Sequence, residues 1–252
     1  MGTAISVDIA DPPEGIDANA EVRAAFTWFT EVDARFSTYN ADSEVSRMNR
    51  GETGANDLSP DMRTVLDACE EMRQETRGFF DAYATGSFDP SGYVKGWSVQ
   101  VASDRLMAAG LVNHCVNAGG DIRLRGLSPE RMPWRIGIRH PIEKLKVAWV
   151  LAGDDLAVAT SGTYERGFHV VDPFTGAPAA GLLSVTIVGH DLGRVDAYAT
   201  AAVAMGTRAL AWLAALPGLS CAVVTSDGSA YTSDGLPVVA PTPPGEDDQP
   251  VY

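Results

Sequence analysis

Val112-Asn113-His114-Cys115-Val116-Asn117-Ala118-Gly119-Gly120-Asp121-Ile122-Arg123-Leu124-Arg125 sets two strand candidates, Val112–Asn117 and Ile122–Arg125, on either side of a paired-glycine turn. A strand leads directly to a second strand. No helix opens after Gly120, so this is not the GxGxxG fingerprint of a dinucleotide-binding βαβ unit. The glycines accept positive φ and present successive backbone N–H groups. The segment therefore reads either as a β-turn or as a small anion-binding nest for a phosphate or a flavin edge.

Working outward, the pattern stays that of an α+β chain. Towards the N-terminus, Thr3–Ile9 alternates like a strand. Asp17–Phe36 carries Val22, Ala25, Phe26, Phe29, Val32 and Phe36 at helical spacing. Asp42–Asn49 reads as a short helix capped by Asp42 or Ser43. Ser59-Pro60 is a cap followed by proline, and predicts a helix to about Thr76, stopped by Gly78. A further helix is expected from about Tyr93 to Ala109, ended by Gly110. Towards the C-terminus come strand candidates Trp134–Arg139, Val147–Leu151, Leu156–Ala159, His169–Val171 and Leu183–Val188. Arg194–Met205 and Thr207–Ala215 read as helices, and Cys221–Thr225 with Ser229–Thr232 as a hairpin around Asp227-Gly228. Helices early and late with strands between them give α+β rather than a regular βαβ alternation. One domain is expected over residues 1–240, followed by a disordered tail, 241–252, of Pro, Gly and acidic residues.

Composition narrows the function. The 252-residue chain is 45% hydrophobic and 21% charged, the balance of a globular protein. A net charge of −14 without a basic run argues against nucleic acid as partner, since phosphate backbones need clustered Lys and Arg. A few backbone amides and one lysine still suffice for a small anion. The 3 cysteines, Cys69, Cys115 and Cys221, form no CxxC pair and read as buried apolar residues rather than zinc ligands or disulfides. No apolar run reaches the roughly 18–20 residues of a membrane-spanning helix. No charged n-region and apolar h-region precede the first strand, so no signal peptide is expected. The expected location is cytoplasmic or membrane-peripheral.

Four motifs carry potential chemistry, each with a plain structural reading beside it. Asn117–Asp121 is the glycine turn above. In Asp89-Pro90-Ser91-Gly92-Tyr93-Val94-Lys95-Gly96, Lys95 falls in the first turn of a helix. A cation there opposes the helix dipole, which points to a bound anion, unless the lysine is simply solvated. Asp196 and Thr200 in Asp196-Ala197-Tyr198-Ala199-Thr200 share one helical face. Completed by carbonyls, waters and a ligand phosphate, their oxygens suit Mg²⁺; otherwise Asp196 complements the helix dipole and Thr200 packs. Ala157–Gly162 ends an apolar run in a small hydroxyl-and-glycine turn, followed by His169-Val170-Val171-Asp172-Pro173-Phe174-Thr175-Gly176. His169 is a possible general base or a structural histidine, and Asp172-Pro173 is a good turn start.

In order along the chain, these segments resemble the FAD:protein FMN transferases, the ApbE-type family. Met1-Gly2-Thr3 looks like its opening strand, and Phe36-Ser37-Thr38-Tyr39 with Ser43-Glu44-Val45-Ser46 and Asn49 resembles "FSxY…SE[LI]…N". Gly78–Asp81 is similar to "GxFD", Asp89–Gly96 to "DxGxxAKG", and Val116–Asp121 contains "NAGGD". Ala159–Gly162 resembles "ATSG", His169–Gly176 resembles "HIIDPxTG", and Ser184–Thr186 with Asp196–Thr200 resembles "SVTV…ADALATA". The resemblance implies a T-fold-like sheet-and-helix architecture with an FAD cleft. It implies Mg²⁺-dependent transfer of FMN from FAD to a Thr or Ser hydroxyl of an acceptor flavoprotein, releasing AMP. Water in place of the hydroxyl would make an FAD pyrophosphatase, and loss of chemistry a non-catalytic FAD-binding protein.

Carried over by position, Asp196, Thr200 and the Gly92 carbonyl would hold the metal, and His169 would be the base. Met1, Tyr39, Asp89 and Lys95 would line the FAD site, with Asn117, Gly119, Gly120, Thr160, Ser161 and Gly162 as neighbours. The chain departs from the pattern in a short segment between Asp81 and Asp89 and in a single Gly167 between Arg166 and Phe168. Both shortenings are expected to thin the wall around the cofactor.

Overall fold

Local signals start and stop the helices largely where the sequence places them. A computed structural model describes residues 2–143, 145–163 and 170–239. In chain order the elements are β1 (Ile5–Ile9), α1 (Ala18–Phe36), α2 (Glu44–Asn49), α3 (Pro60–Glu75), α4 (Ser91–Ala108), β2 (His114–Ala118), β3 (Asp121–Arg125) and β4 (Trp134–Arg139). They continue as β5 (Val147–Gly153), β6 (Asp155–Gly162), β7 (Leu182–Gly189), α5 (Leu192–Met205), α6 (Ala209–Leu213), β8 (Ser220–Thr225), β9 (Ala230–Thr232) and β10 (Val238–Val239). Side chains of Asp17, Ser43 and Ser59 accept N–H bonds in the first turns of α1, α2 and α3. Beyond α3 the chain turns through positive φ at Arg77 and Gly78. Residues 241–252, expected as a tail, lie outside the described residues.

Every strand pairing is antiparallel. Seven strands form one sheet in the order β1-β2-β3-β6-β7-β8-β9, and β10-β5-β4 form a second. The fold class is α+β. The period-two alternation of the large sheet decides what each face buries. Val116, Ala118, Ala157, Ala159, Val185 and Ile187 pack under α1, α4 and α5 in the main core. Cys115, Ile122, Leu124, Val158 and Val188 face the other way, and meet Trp134, Ile136, Ile138 and Leu151 of the small sheet. The large sheet is therefore the middle of three layers. All three cysteines are buried thiols. Among the described residues no helix is long and apolar enough to cross a membrane.

The differences from the sequence reading have local causes. Phe26 is 42% exposed, and Trp28 takes the core position instead, its Nε1 donating to Ser98 O (2.9 Å). The first strand of the hairpin starts at His114 rather than Val112. Asn113 is turned out to accept the N–H of Ala10 on its carbonyl and that of Leu127 on Oδ1, both at 2.9 Å. The helix expected over Thr207–Ala215 shrinks to α6 because Gly206, at φ 62°, breaks the chain after α5 into a short 3-10 turn. Of the strand expected over His169–Val171, Val171 forms a lone bridge with Pro178 and His169 lies outside the described residues. The short strand β10 has no counterpart in the sequence reading.

Candidate functional site

Helices α4 and α5 meet at Gly96. A Cβ added there would stand 2.3 Å from Leu192 O and 2.8 Å from Asp196 Cβ, so only glycine lets the two backbones come this close. The contact brings the Gly96 N–H to Asp196 Oδ2 (2.9 Å). In a regular helix that N–H serves the carbonyl of Gly92, so Asp196 competes with Gly92 for one donor. One turn along α5, Thr200 Oγ1 lies 3.5 Å from Ser161 Oγ of β6, and its side chain closes over the Cα of Gly92.

Above this floor opens a cleft of about 340 Å³. Its lining includes Tyr39 at the end of α1, Asp89, Gly92 and Lys95 at the start of α4, Thr160, Ser161 and Gly162 of β6, and Asp196 and Thr200 of α5. Residues far apart in sequence thus converge on one cleft. Tyr39 is fully exposed at the mouth. Asp89 Oδ1 accepts the Ser91 N–H (3.0 Å) at the start of α4, which has no acidic side chain in its first turn. Thr160 turns its hydroxyl across the sheet to Thr186 Oγ1 (2.9 Å), whereas Ser161 faces Thr200.

The glycine turn divides between the cleft and the sheet. Gly119 lines the cleft, and its positive φ and its contact with Thr3 both forbid a side chain: a Cβ would fall 2.1 Å from Thr3 Oγ1. Asn117 Oδ1 accepts the Gly120 N–H (2.9 Å), and neither residue is part of the lining. Asp81, Ala82, Ala84 and Thr85 of the shortened segment still contribute a wall. Met1 and His169 lie outside the described residues.

The charge that sequence reasoning missed is Asp121. It is 1% exposed at the start of β3, and its Oδ2 forms an ion pair with Lys95 Nζ. Oδ1 is 3.4 Å from the Thr160 N–H. Asp196 Oδ1 is 3.9 Å from the same ammonium. Lys95 therefore stands between two buried carboxylates, which answers the dipole conflict read from the sequence. Burial holds the Asp196 carboxyl well above the usual range, and the Asp121 charge adds to this against the opposing pull of Lys95 and the Gly96 N–H. Such a group favours a further cation. Among the described residues no group of three or more His, Cys, Asp or Glu could hold a metal ion. The donors on offer are one buried carboxylate, a hydroxyl and a carbonyl, hard oxygens that fit Mg²⁺ when waters and ligand oxygens complete the shell.

The ApbE family model matches residues 1–87 and 83–223. An FAD:protein FMN transferase of Vibrio cholerae serotype O1 is 29% identical over 265 residues, covering 82% of this chain and 79% of the relative. One from Rhodobacter capsulatus is 28% identical over 235 residues, covering 90% of this chain and 42% of the relative. The solved flavin transferase ApbE from Vibrio cholerae superposes with a TM-score of 0.81 at 26% identity, over 93% of this chain and 94% of its own. The ApbE protein of Thermotoga maritima shares the fold at the same TM-score of 0.81 and 22% identity, over 92% of this chain and 97% of its own. Family model and fold agree over most of the length, and the protein belongs to the ApbE family.

Proposed function

We propose that this chain transfers FMN from FAD to a Thr or Ser hydroxyl of an acceptor flavoprotein, releasing AMP, with Mg²⁺ as its metal. The observation that carries this reading is the convergence of Gly92, Lys95, Ser161, Asp196 and Thr200 on one cleft floor, in a chain of a family whose relatives are FAD:protein FMN transferases. Phosphoryl transfer is mostly positioning and charge neutralisation, and this floor offers both.

Asp196, Thr200 Oγ1 and the Gly92 carbonyl would hold the metal, which when bound supplies neutralisation of the pyrophosphate charge. The start of α4 carries no acidic side chain within its first turn, so its dipole favours the same anion, while Asp89 just before it holds the Ser91 N–H. Lys95, oriented by Asp121, adds a cation beside them. Tyr39 at the mouth and Thr160–Gly162, which form the paired end of β6 rather than the turn read from the sequence, would hold the rest of FAD. An acceptor hydroxyl is a weak nucleophile at neutral pH and needs a base. His169 is the candidate by sequence, directly preceding the cleft residue Val170.

The test incubates the chain with FAD, Mg²⁺ and an acceptor domain. The expected result is a protein with covalent flavin fluorescence and one AMP released per label. AMP and free FMN without acceptor would assign the hydrolase instead. No label and no AMP with any divalent metal would overturn both. His169→Ala is expected to reduce transfer far more than FAD binding; equal losses would make His169 a binding residue.

A further inference from the structure

One wall of the cleft is held in place largely by side chains. The floor of the lining belongs to α4, β6 and α5, whose backbones are fixed by regular hydrogen bonding, and the walls come largely from connections between elements. Val170, Val171 and Pro173 also line the cleft, yet they lie in a loop between β6 and β7. Among the described residues its two limbs are tied by the lone Val171–Pro178 bridge, Ala179 N–H to Val170 O and Asp172 N–H to Ala177 O, the last two at 2.9 Å, and its tip turns through Thr175 and Gly176 N–H to Asp172 O at 3.2 and 2.8 Å.

Side chains anchor the tip of this loop. Asp172 Oδ1 accepts the Phe174 N–H (2.9 Å), and Oδ2 accepts Arg208 Nη2 (3.1 Å). The Phe174 ring meets Phe79 edge to face, with centroids 4.9 Å apart and planes at 63°. It also lies over the bare Cα of Gly78, where an added Cβ would come within 3.1 Å of Phe174 Cζ. The Arg208 guanidinium stands 4.8 Å from the Phe79 centroid, and its Nε donates to Met205 O (3.0 Å). Phe79 itself lines the cleft. It therefore takes both an aromatic ring and a cation from outside the cleft. Phe174 is 65% exposed, too open to be a core residue.

We propose that Phe174 and Arg208 are positioning residues. Acting through Phe79 and Asp172, they fix where Val170, Val171 and Pro173 stand against bound FAD. This rests on the flavin reading above. A wall displaced by about an ångström weakens FAD binding, although no residue in contact with the ligand has changed.

The experiment measures FAD affinity by quenching of its fluorescence, KM and kcat from AMP release with acceptor, and thermal melting, on the full chain. Phe174→Ala is expected to raise both Kd and KM for FAD about tenfold, with kcat within about threefold and an almost unchanged melting temperature. Phe174→Tyr, which keeps the ring, is expected to restore affinity. Arg208→Lys keeps a charge for Asp172 but loses the flat guanidinium over Phe79, so its KM should rise about threefold. As a surface change, it also serves if Phe174→Ala folds poorly. Lower melting temperatures with unchanged FAD affinity would make these residues purely structural and overturn the inference alone. An unchanged chain that leaves FAD unbound would overturn the flavin reading and this inference with it.

Discussion

Asp196 is a carboxylate in a place that suits carboxylates badly. It is 2% exposed, next to Asp121, and only Lys95 and one N–H oppose the cost of its charge. A residue that strains the metal-free protein but supplies a metal ligand has a clear signature on substitution. Asp196→Asn keeps the shape and an acceptor for the Gly96 N–H while removing the buried charge. In EDTA this variant is expected to melt at the same temperature as the unchanged chain or higher. With Mg²⁺ and FAD it should lose the stabilisation the unchanged chain gains, and its turnover should fall by at least about a hundredfold. Normal Mg²⁺ dependence in the variant would remove Asp196 from the metal site. Asp196 and Thr200 were legible because the four-residue spacing places both on one helical face. Asp121 was not. Asp121, Arg123 and Arg125 alternate with Ile122 and Leu124, a pattern that ordinarily marks a solvated strand face. Here α4 covers that face, and Asp121 and Arg123 are buried as ion pairs with Lys95 and Asp155. The hint was Asp121 itself, the last residue of the Asn117–Asp121 motif and a carboxylate directly after a paired-glycine turn.

At the scale of elements, the crossing of α4 and α5 sets the geometry of the cleft floor. Gly96 is its narrowest point, and the sequence does not distinguish it from an ordinary, weakly helix-breaking glycine. Gly96→Ala places a methyl group 2.3 Å from Leu192 O, a backbone atom that cannot rotate away. The helices must part, at a cost of about 3 kcal/mol in stability, read as a lower urea midpoint. Because Asp196 sits at the same contact, turnover should fall further than the loss of folded protein accounts for. A variant with an unchanged midpoint would show that the crossing relaxes without strain. Elements with local causes were readable: the Ser59-Pro60 start of α3, the Gly110 stop after α4, and the hairpin at Asp227-Gly228. Elements with remote causes were not. Two residues of β10 become a strand only because β5 offers its edge to them. Val171, in a strand-like apolar run, is a lone bridge among the described residues because its partner is Pro178, which has no N–H to donate.

For the whole molecule, two charge effects compete as pH falls. The chain carries −14 at neutral pH, so protonation relieves self-repulsion and favours the compact state. His114 acts in the opposite direction. It is 0% exposed at the junction of α4 and β2, with Ser103 Oγ and Leu111 O each 2.7 Å from its two ring nitrogens. Those partners leave no room for a counter-ion. Burial, reinforced by Arg125 and Arg123, lowers its pKa to about 4. A histidine depressed in the folded state binds its proton more readily when unfolded. Its contribution is thus complete above about pH 6.5 and is lost as pH falls towards 4. Between pH 7 and pH 5 the loss is about 2 kcal/mol, concentrated in one residue where the charge relief is spread over the whole surface. His114→Gln retains a polar side chain and removes the titration. From pH 7 to pH 5 the unfolding free energy from urea titrations should fall by about 2 kcal/mol more in the unchanged chain than in the variant, whatever the general charge effect adds to both. Parallel pH profiles would mean that His114 takes up its proton as readily in the fold as in the unfolded chain.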